Sequence, residues 1–235
     1  MEFVKFGDDV FVNKADDWLQ EFAEKYPVRI GIPFNCYLRI DSITEEVLKL
    51  LQKANCYSVH LSVDSTSRLV RERILHRRML TENIVEKLKL VHGYGINTWV
   101  NYMLAVPEST VQDDLDTIRM SREGKVTYSS YSTAVPMKGT SLHEYCVGRG
   151  YIAKDFEADM SEVTQKSVLN CFSEKEKNIR YNIWLLGPIL ARVPSLLAKV
   201  GSFLIKHTRP NRLYRILRDR YYKYSIENTI FRVGD

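Results

Sequence analysis

The chain has 235 residues, of which 45% are hydrophobic and 27% charged, with 11 Gly and 7 Pro. Such a composition excludes a disordered or low-complexity polymer and supplies a core for one α/β domain of ordinary size or a small pair. The net charge of +5 permits an anionic small molecule, RNA or a membrane surface as partner and requires none of them.

Residues 3–11 read FVKFGDDVF, a short β-rich run that breaks at Gly7 and delivers two carboxylates, Asp8 and Asp9. Residues 16–26 follow the helical period, with Trp18, Leu19 and Phe22 on the apolar face. Over residues 28–35, Val28, Ile30, Ile32 and Phe34 alternate with Arg29, Gly31, Pro33 and Asn35, the pattern of a second strand. Ser42 and Glu45 have capping-box spacing, and the helix they open runs to about Ala54 with Val47, Leu48 and Leu51 inward.

The third strand, residues 59–65, alternates apolar Val59, Leu61 and Val63 with polar His60, Ser62 and Asp64. A basic helix is expected after the turn residues Ser65, Thr66 and Ser67. Another helix is expected over residues 81–92, closed by Gly93 and Gly95. In the fourth strand Thr98, Val100, Tyr102 and Leu104 alternate with Asn97, Trp99, Asn101 and Met103. A helix from Thr110 to about Glu123 is acidic in its first turn, which suits the helix dipole. The fifth strand covers residues 128–135, and a short helix covers 141–149.

Strands separated by roughly 25 to 40 residues fit successive βα units in a right-handed parallel sheet. The strand ends carry Asp8, Asp9, Asn35, Ser62, Asp64 and Thr133, and polar groups at the carboxyl edge of such a sheet or barrel converge on a ligand site. Antiparallel strands with one wet face are the bland alternative. After residue 151 no alternation recurs. Residues 156–181 read as polar helix, residues 183–205 as an apolar stretch interrupted by Pro188 and Pro194, and residues 206–223 as basic and aromatic. This describes an α/β unit over 1–150 and a helical extension over 151–235.

The start of the chain lacks the pattern of a secretory signal, and the residues 183–205 carry Arg192 and Lys199 as well as the prolines, against a spanning helix. A cytoplasmic location is the expectation. Cys36, Cys56, Cys146 and Cys171 form no C-x-x-C or zinc spacing and read as buried small hydrophobes in a reducing compartment.

In order and spacing these segments resemble the radical S-adenosylmethionine (SAM) family, nearest the branch that often carries an N-terminal cobalamin-binding domain. FGDDVF is similar to the family's second-strand motif, and IPFNCYLRID to its third strand. HLSVDSTSRLVRERILHRRM is similar to the L-x-x-E-S-x-S…R segment, with Asp64 in the Glu position. MLAVPEST is similar to I-G-x-P-x-E-T, and VPMKGTSL to P-x-P-G-T-x-L. The resemblance covers about residues 3–151. It implies a partial parallel (β/α) barrel that resembles a TIM barrel, with SAM and a [4Fe–4S] cluster as cofactors, cobalamin as an option, and a small-molecule substrate.

By the same resemblance, Asp8 or Asp9 would hold the SAM ammonium, Ser62 and Asp64 the ribose or amino acid, Arg77 or Arg78 the carboxylate, and the backbone around Ala105 to Pro107 the adenine. Asn35 is a ligand contact or a barrel filler, and each of the others has a solvated turn, strand end or helix face as its bland alternative. His60 reads as a hydrogen-bonded core histidine, and Tyr128 and Tyr131 as packing. The family's C-x-x-x-C-x-x-C loop, whose thiolates bind the cluster, is absent from the sequence. Ala105, Ser109 and Lys138 stand where Gly, Glu and Pro are usual. The chain therefore resembles the back portion of such an enzyme and is not expected to generate a 5′-deoxyadenosyl radical alone; the missing portion or another chain is an expected partner. Two other readings stand beside it. One is a non-catalytic barrel that binds a partner or nucleotide. The other is an RNA-modifying methylthiotransferase, with residues 183–223 contacting RNA or, alternatively, a membrane surface; for this segment a solvated helical cap on the barrel mouth is the favoured bland alternative.

Overall fold

The computed structural model describes residues 3–77, 83–159 and 166–231. Five parallel strands form one sheet: β1 (Val4–Lys5), β2 (Phe34–Tyr37), β3 (Cys56–Asp64), β4 (Asn97–Leu104) and β5 (Tyr128–Thr133). Their spatial order is their sequence order, and every neighbouring pair is parallel. Right-handed crossovers in unbroken order place all connecting helices on one face and leave the other face as the lumen of a partial barrel. This is the α/β half-barrel that the alternation and spacing predict.

The helices are α1 (Asp17–Arg29), α2 (Glu45–Lys53), α3 (Ile84–Gly93), α4 (Val111–Glu123) and α5 (Ser141–Gly148), then α6 (Glu174–Leu190), α7 (Ser195–His207) and α8 (Arg212–Ser225). Val59, Leu61, Val63, Val100 and Leu104 are buried against helical residues such as Leu19, Leu48, Leu51 and Leu88. The same continuous core takes in Ile179, Ile183 and Trp184 of α6. Gly187 lets α6 approach β5, because a Cβ there would lie 2.8 Å from the Tyr131 ring. The chain then turns through Ile226–Ile230 and returns to the sheet.

Several elements differ from the sequence reading. Residues 28–35 are not one strand: α1 continues through Pro27 to Arg29, and β2 begins only at Phe34. Val28 and Ile30 are 84% and 55% exposed, so their alternation buries nothing. Gly31, at φ +68°, closes the helix with its N–H donating to the Tyr26 carbonyl, a left-handed cap that glycine adopts without strain. Ser42 lies in a short 3₁₀ turn, and Thr44 caps α2 by accepting from the Val47 N–H. The basic segment after Ser67 forms one wide helical turn over Val70–Ile74, and Arg78 lies outside the described residues. Residues 166–173 are not helical; α6 starts at Glu174, where Ser173 and Glu176 make a capping box. Pro188 sits inside α6, and the break falls after Leu190. Cys171 is exposed, unlike the other three cysteines.

Candidate functional site

Parallel strands in register set equivalent lumen side chains side by side, so the lumen is built in layers. The lowest holds Asn35, Ser58 and Asn97. Asn35 Nδ2 donates to Ser58 Oγ at 2.9 Å, and that hydroxyl donates to the Ile230 carbonyl at 2.7 Å. Phe231 meets Phe3 and Trp99 edge to face, and Lys5 lies over its ring. The returning C-terminal turn thus closes this end of the lumen.

The middle layer is Tyr37, His60, Trp99 and Tyr128, which are register partners across four strands. His60 stacks between Tyr37 at 4.5 Å and Trp99 at 4.6 Å, and Tyr128 meets Trp99 edge to face. The imidazole is 8% exposed, and neither ring nitrogen has a hydrogen-bond partner. Burial pulls its pKa down to about 4; Lys5 adds to the effect and Asn101 opposes it. The ring is therefore neutral at pH 7, with an unused donor and an unused acceptor. Stacking between two rings holds the imidazole in the core, with Asn101 the side chain whose hydrogen bonding favours its charged form.

Above this layer opens a cleft of about 430 Å³ lined by Asp9, Tyr37, Arg39, His60, Ser62, Arg77 and Asn101 among others. Ser62 Oγ donates to Asp64 Oδ1 at 2.7 Å. Arg77 Nε stands 3.0 Å from Asp64 Oδ2 as an ion pair, without the alignment of a hydrogen bond. Asp64 ends β3 at φ +62°, a left-handed conformation that Asp tolerates better than most residues. Its neighbour Ser65 accepts a bond at its carbonyl from the buried Arg71 guanidinium.

The exit of β4 is also left-handed, at Ala105 (φ +57°) and Glu108 (φ +67°). A backbone of this kind is natural for glycine, which accounts for the usual residue at this position in the motif that MLAVPEST resembles. Asp114 and Arg180 clamp this exit to α6. Arg180 Nε lies 2.6 Å from Asp114 Oδ2, both side chains being 2% exposed. Arg180 also donates to the Ser109 carbonyl at 3.0 Å, and the Ala105 N–H donates to Asp114 at 3.4 Å. Burial pushes the Asp114 carboxyl up to about 6, with Arg180 opposing.

Of the residues singled out from the sequence, Asp9, Ser62 and Arg77 line one cleft, and Asp64 is tied to two of them. Asp8 is exposed and is not among the lining residues. Asn35 is buried one layer beneath the aromatic row. Ala105 and Pro107 are buried at the β4 exit and do not line this cleft. Tyr37, Arg39 and Asn101 were not singled out for the site. Asn101 and His60 share strand parity with Ser62, but only the register shows that they face the same space.

The cofactors implied by the resemblance differ in fit. The cleft suits SAM: it combines a carboxylate, two guanidinium groups, a hydroxyl and the unpaired nitrogens of His60, in a volume typical of small-ligand sites. The cluster does not fit. No group of three His, Cys, Asp or Glu able to hold a metal occurs among the described residues. The thiols of Cys36 and Cys146 are held above their usual range, chiefly by burial, which disfavours the thiolate that binds iron. No helix among the described residues is long and apolar enough to cross a membrane.

Comparison with known proteins gives the following. An uncharacterized methyltransferase of Pyrococcus horikoshii is 20% identical over 149 residues, which cover 63% of this chain and 32% of that protein. The chain thus spans about a third of the length of the curated relative it matches. The cobalamin- and [4Fe–4S]-bound radical SAM methyltransferase TsrM of Kitasatospora setae superposes with a TM-score of 0.49 at 14% identity, over 89% of this chain and 48% of TsrM. Coproporphyrinogen III oxidase of Escherichia coli gives a TM-score of 0.43 at 12% identity, over 65% and 38%. Residues 6–121 match the Radical SAM superfamily profile, a span that holds every residue lining the cleft, and by that match this chain belongs to the radical SAM superfamily.

Proposed function

We propose that this chain forms the SAM-facing wall of a radical SAM enzyme that acts on a small molecule. A [4Fe–4S] cluster, where the complete protein holds one, would supply reducing chemistry to SAM, and none of the described residues would hold it. Since the described residues offer no fitting ligand set, the thiolates are assigned to protein outside them. This chain's own part is binding and orientation. Asp9 takes the ammonium, Ser62 and Asp64 the ribose or amino-acid hydrogen bonds, and Arg77 the carboxylate, while the His60 row forms the floor that keeps water out. A methyl-transfer outcome, with cobalamin in a separate domain and a cytoplasmic setting, is our preferred assignment for the complete protein, in line with the methyltransferase among its relatives.

The observation that carries this reading is the meeting of Asp9, Ser62 and Arg77 in one cleft over a neutral histidine whose nitrogens are unpaired. Saturation-transfer NMR tests it, with adenosine and SAM as probes. Adenosine contact should fall in Ser62→Ala and Asp64→Asn; Asn is chosen because it tolerates φ > 0. Arg77→Ala should weaken SAM more than adenosine. Arg220→Ala, on the exposed face of α8, should change nothing. A folded chain that shows no adenosine contact, or equal effects of Ser62→Ala and Arg220→Ala, would refute the assignment.

The missing ligand set favours one second reading: a ligand-binding barrel without radical chemistry of its own. Adding the upstream reading frame separates the two. A C-x-x-x-C-x-x-C segment that confers a cluster on the joined protein supports the enzyme, and its absence from the gene supports the binding protein.

A further inference from the structure

The helix α7 is apolar on two opposite faces. Ala198, Gly201 and Ile205 are buried, and Gly201 packs so close to Leu190 of α6 that a Cβ would fall 2.3 Å from it. On the other side Leu196, Leu197, Val200 and Phe203 are 73%, 55%, 53% and 61% exposed. At helical spacing Leu196, Val200, Phe203 and His207 form one stripe turned away from the buried one. A solvated helix places polar groups on such a stripe, and four large apolar neighbours left in water are more than scatter.

Cations border this stripe. A groove of about 630 Å³ between α4 and α7 is lined by Arg119, Arg122, Lys199, Phe203, Lys206 and His207. The one carboxylate lining it, Asp116, is held by Arg119 at 3.3 Å. Arg122 anchors the turn into α7 by donating to the Leu190 and Val193 carbonyls. From Lys177 to Arg218 the sequence contains three Lys and six Arg, and no Asp or Glu.

We propose that α7 is an in-plane docking helix for an anionic membrane surface. An aliphatic stripe beside flexible cations matches the acyl boundary beside the phosphate level of a bilayer, where Lys and Arg stems lie along apolar surface while their charges reach phosphate. Nucleic acid would use the cations and leave Leu196, Leu197 and Val200 in water. This inference does not rest on the cleft, and its readout is independent of SAM.

Sedimentation of the 235-residue chain with vesicles tests it, using phosphatidylglycerol–phosphatidylcholine mixtures against phosphatidylcholine alone. Binding is expected only to the anionic vesicles and should weaken with salt. Val200→Asp and Phe203→Asp should each lower the partition coefficient about tenfold, and Lys199→Gln or Lys206→Gln about fivefold. Ser62→Ala should leave it unchanged. Circular dichroism establishes that each variant is folded; should an Asp variant unfold, protection of α7 amides from hydrogen exchange when vesicles are added to the unsubstituted chain decides instead. A folded chain that ignores anionic vesicles overturns the proposal, as does equal binding by the unsubstituted chain and both Asp variants. So does a dimer that Phe203→Asp dissociates without any vesicle binding, since the face would then belong to a second copy.

Discussion

The two ends of the lumen are built from the same kinds of residue and meet different fates. At the lower end Asn35 and Ser58 are joined and Ser58 is satisfied by the Ile230 carbonyl, with Asn35 Oδ1 alone left without a partner. At the upper end Ser62 and Asp64 are joined in the same way, but among the described residues no returning backbone hydrogen-bonds to them and both His60 nitrogens lack a partner. Buried polar groups with their own partners specify a fold. Buried polar groups without partners, at left-handed strand ends, cost stability and keep hydrogen-bonding capacity for a ligand. The C-terminal turn closes the lower end and the upper end opens into the cleft, so the ligand-facing capacity lies above, although one sheet face carries both.

The upper end is held from outside the lumen, and breaking that support should produce the largest effect. Arg180→Ala leaves Asp114 buried without its partner and should cost roughly 3–5 kcal/mol, read as a lower urea midpoint at unchanged slope. Hydrogen exchange in the folded variant should accelerate at the β4 exit and not around Ser58. Equal acceleration at both ends would show that the two are one cooperative unit.

Replacing His60 with Phe keeps the stack and removes the titration. His60 has a folded pKa of about 4 against an ordinary 6.5, so its contribution is full above pH 6.5 and is lost as pH falls through 4. The stability advantage of the unsubstituted chain over His60→Phe should shrink by about 3 kcal/mol between pH 7 and pH 4. Asp114 titrates in the opposite sense: its carboxyl is raised from 3.8 to about 6, so its contribution is full below 3.8 and lost as pH rises through 6. That contribution is common to both chains and cancels in the difference. A pH-independent difference would mean that water already reaches the imidazole.

Ser58→Ala tests the lower end. It strands the Asn35 amide and the Ile230 carbonyl and should cost roughly 2 kcal/mol, measured by denaturant unfolding. The smallest expected change is Ser62→Ala in the upper end: within about 0.5 kcal/mol in stability, with the loss appearing in adenosine contact. If Ser62→Ala destabilised as much as Ser58→Ala, the contrast between the two ends would fail.

Local chemistry made much of this molecule legible. Strict alternation in β3 and β4 identifies both strands, since each has one face against helices and the other in the lumen. Thr110 and Asp113 close a capping box at α4, which needs only neighbouring residues. The ordered motifs, and the basic stretch over residues 206–223, were likewise visible without coordinates. Residues 28–35 misled because alternation alone does not distinguish a strand from a helix end whose apolar residues stay in water; the contacts that start β2 at Phe34 come from β1 and β3. The positive φ of Asp64 and Ala105 is set by how the chain leaves the sheet. Above all, Asn35 and Ser62 have the same parity and the same polarity. What separates filler from site is the carbonyl of Ile230, 172 residues beyond Ser58, and only tertiary folding brings that acceptor to one end of the lumen and leaves the other open.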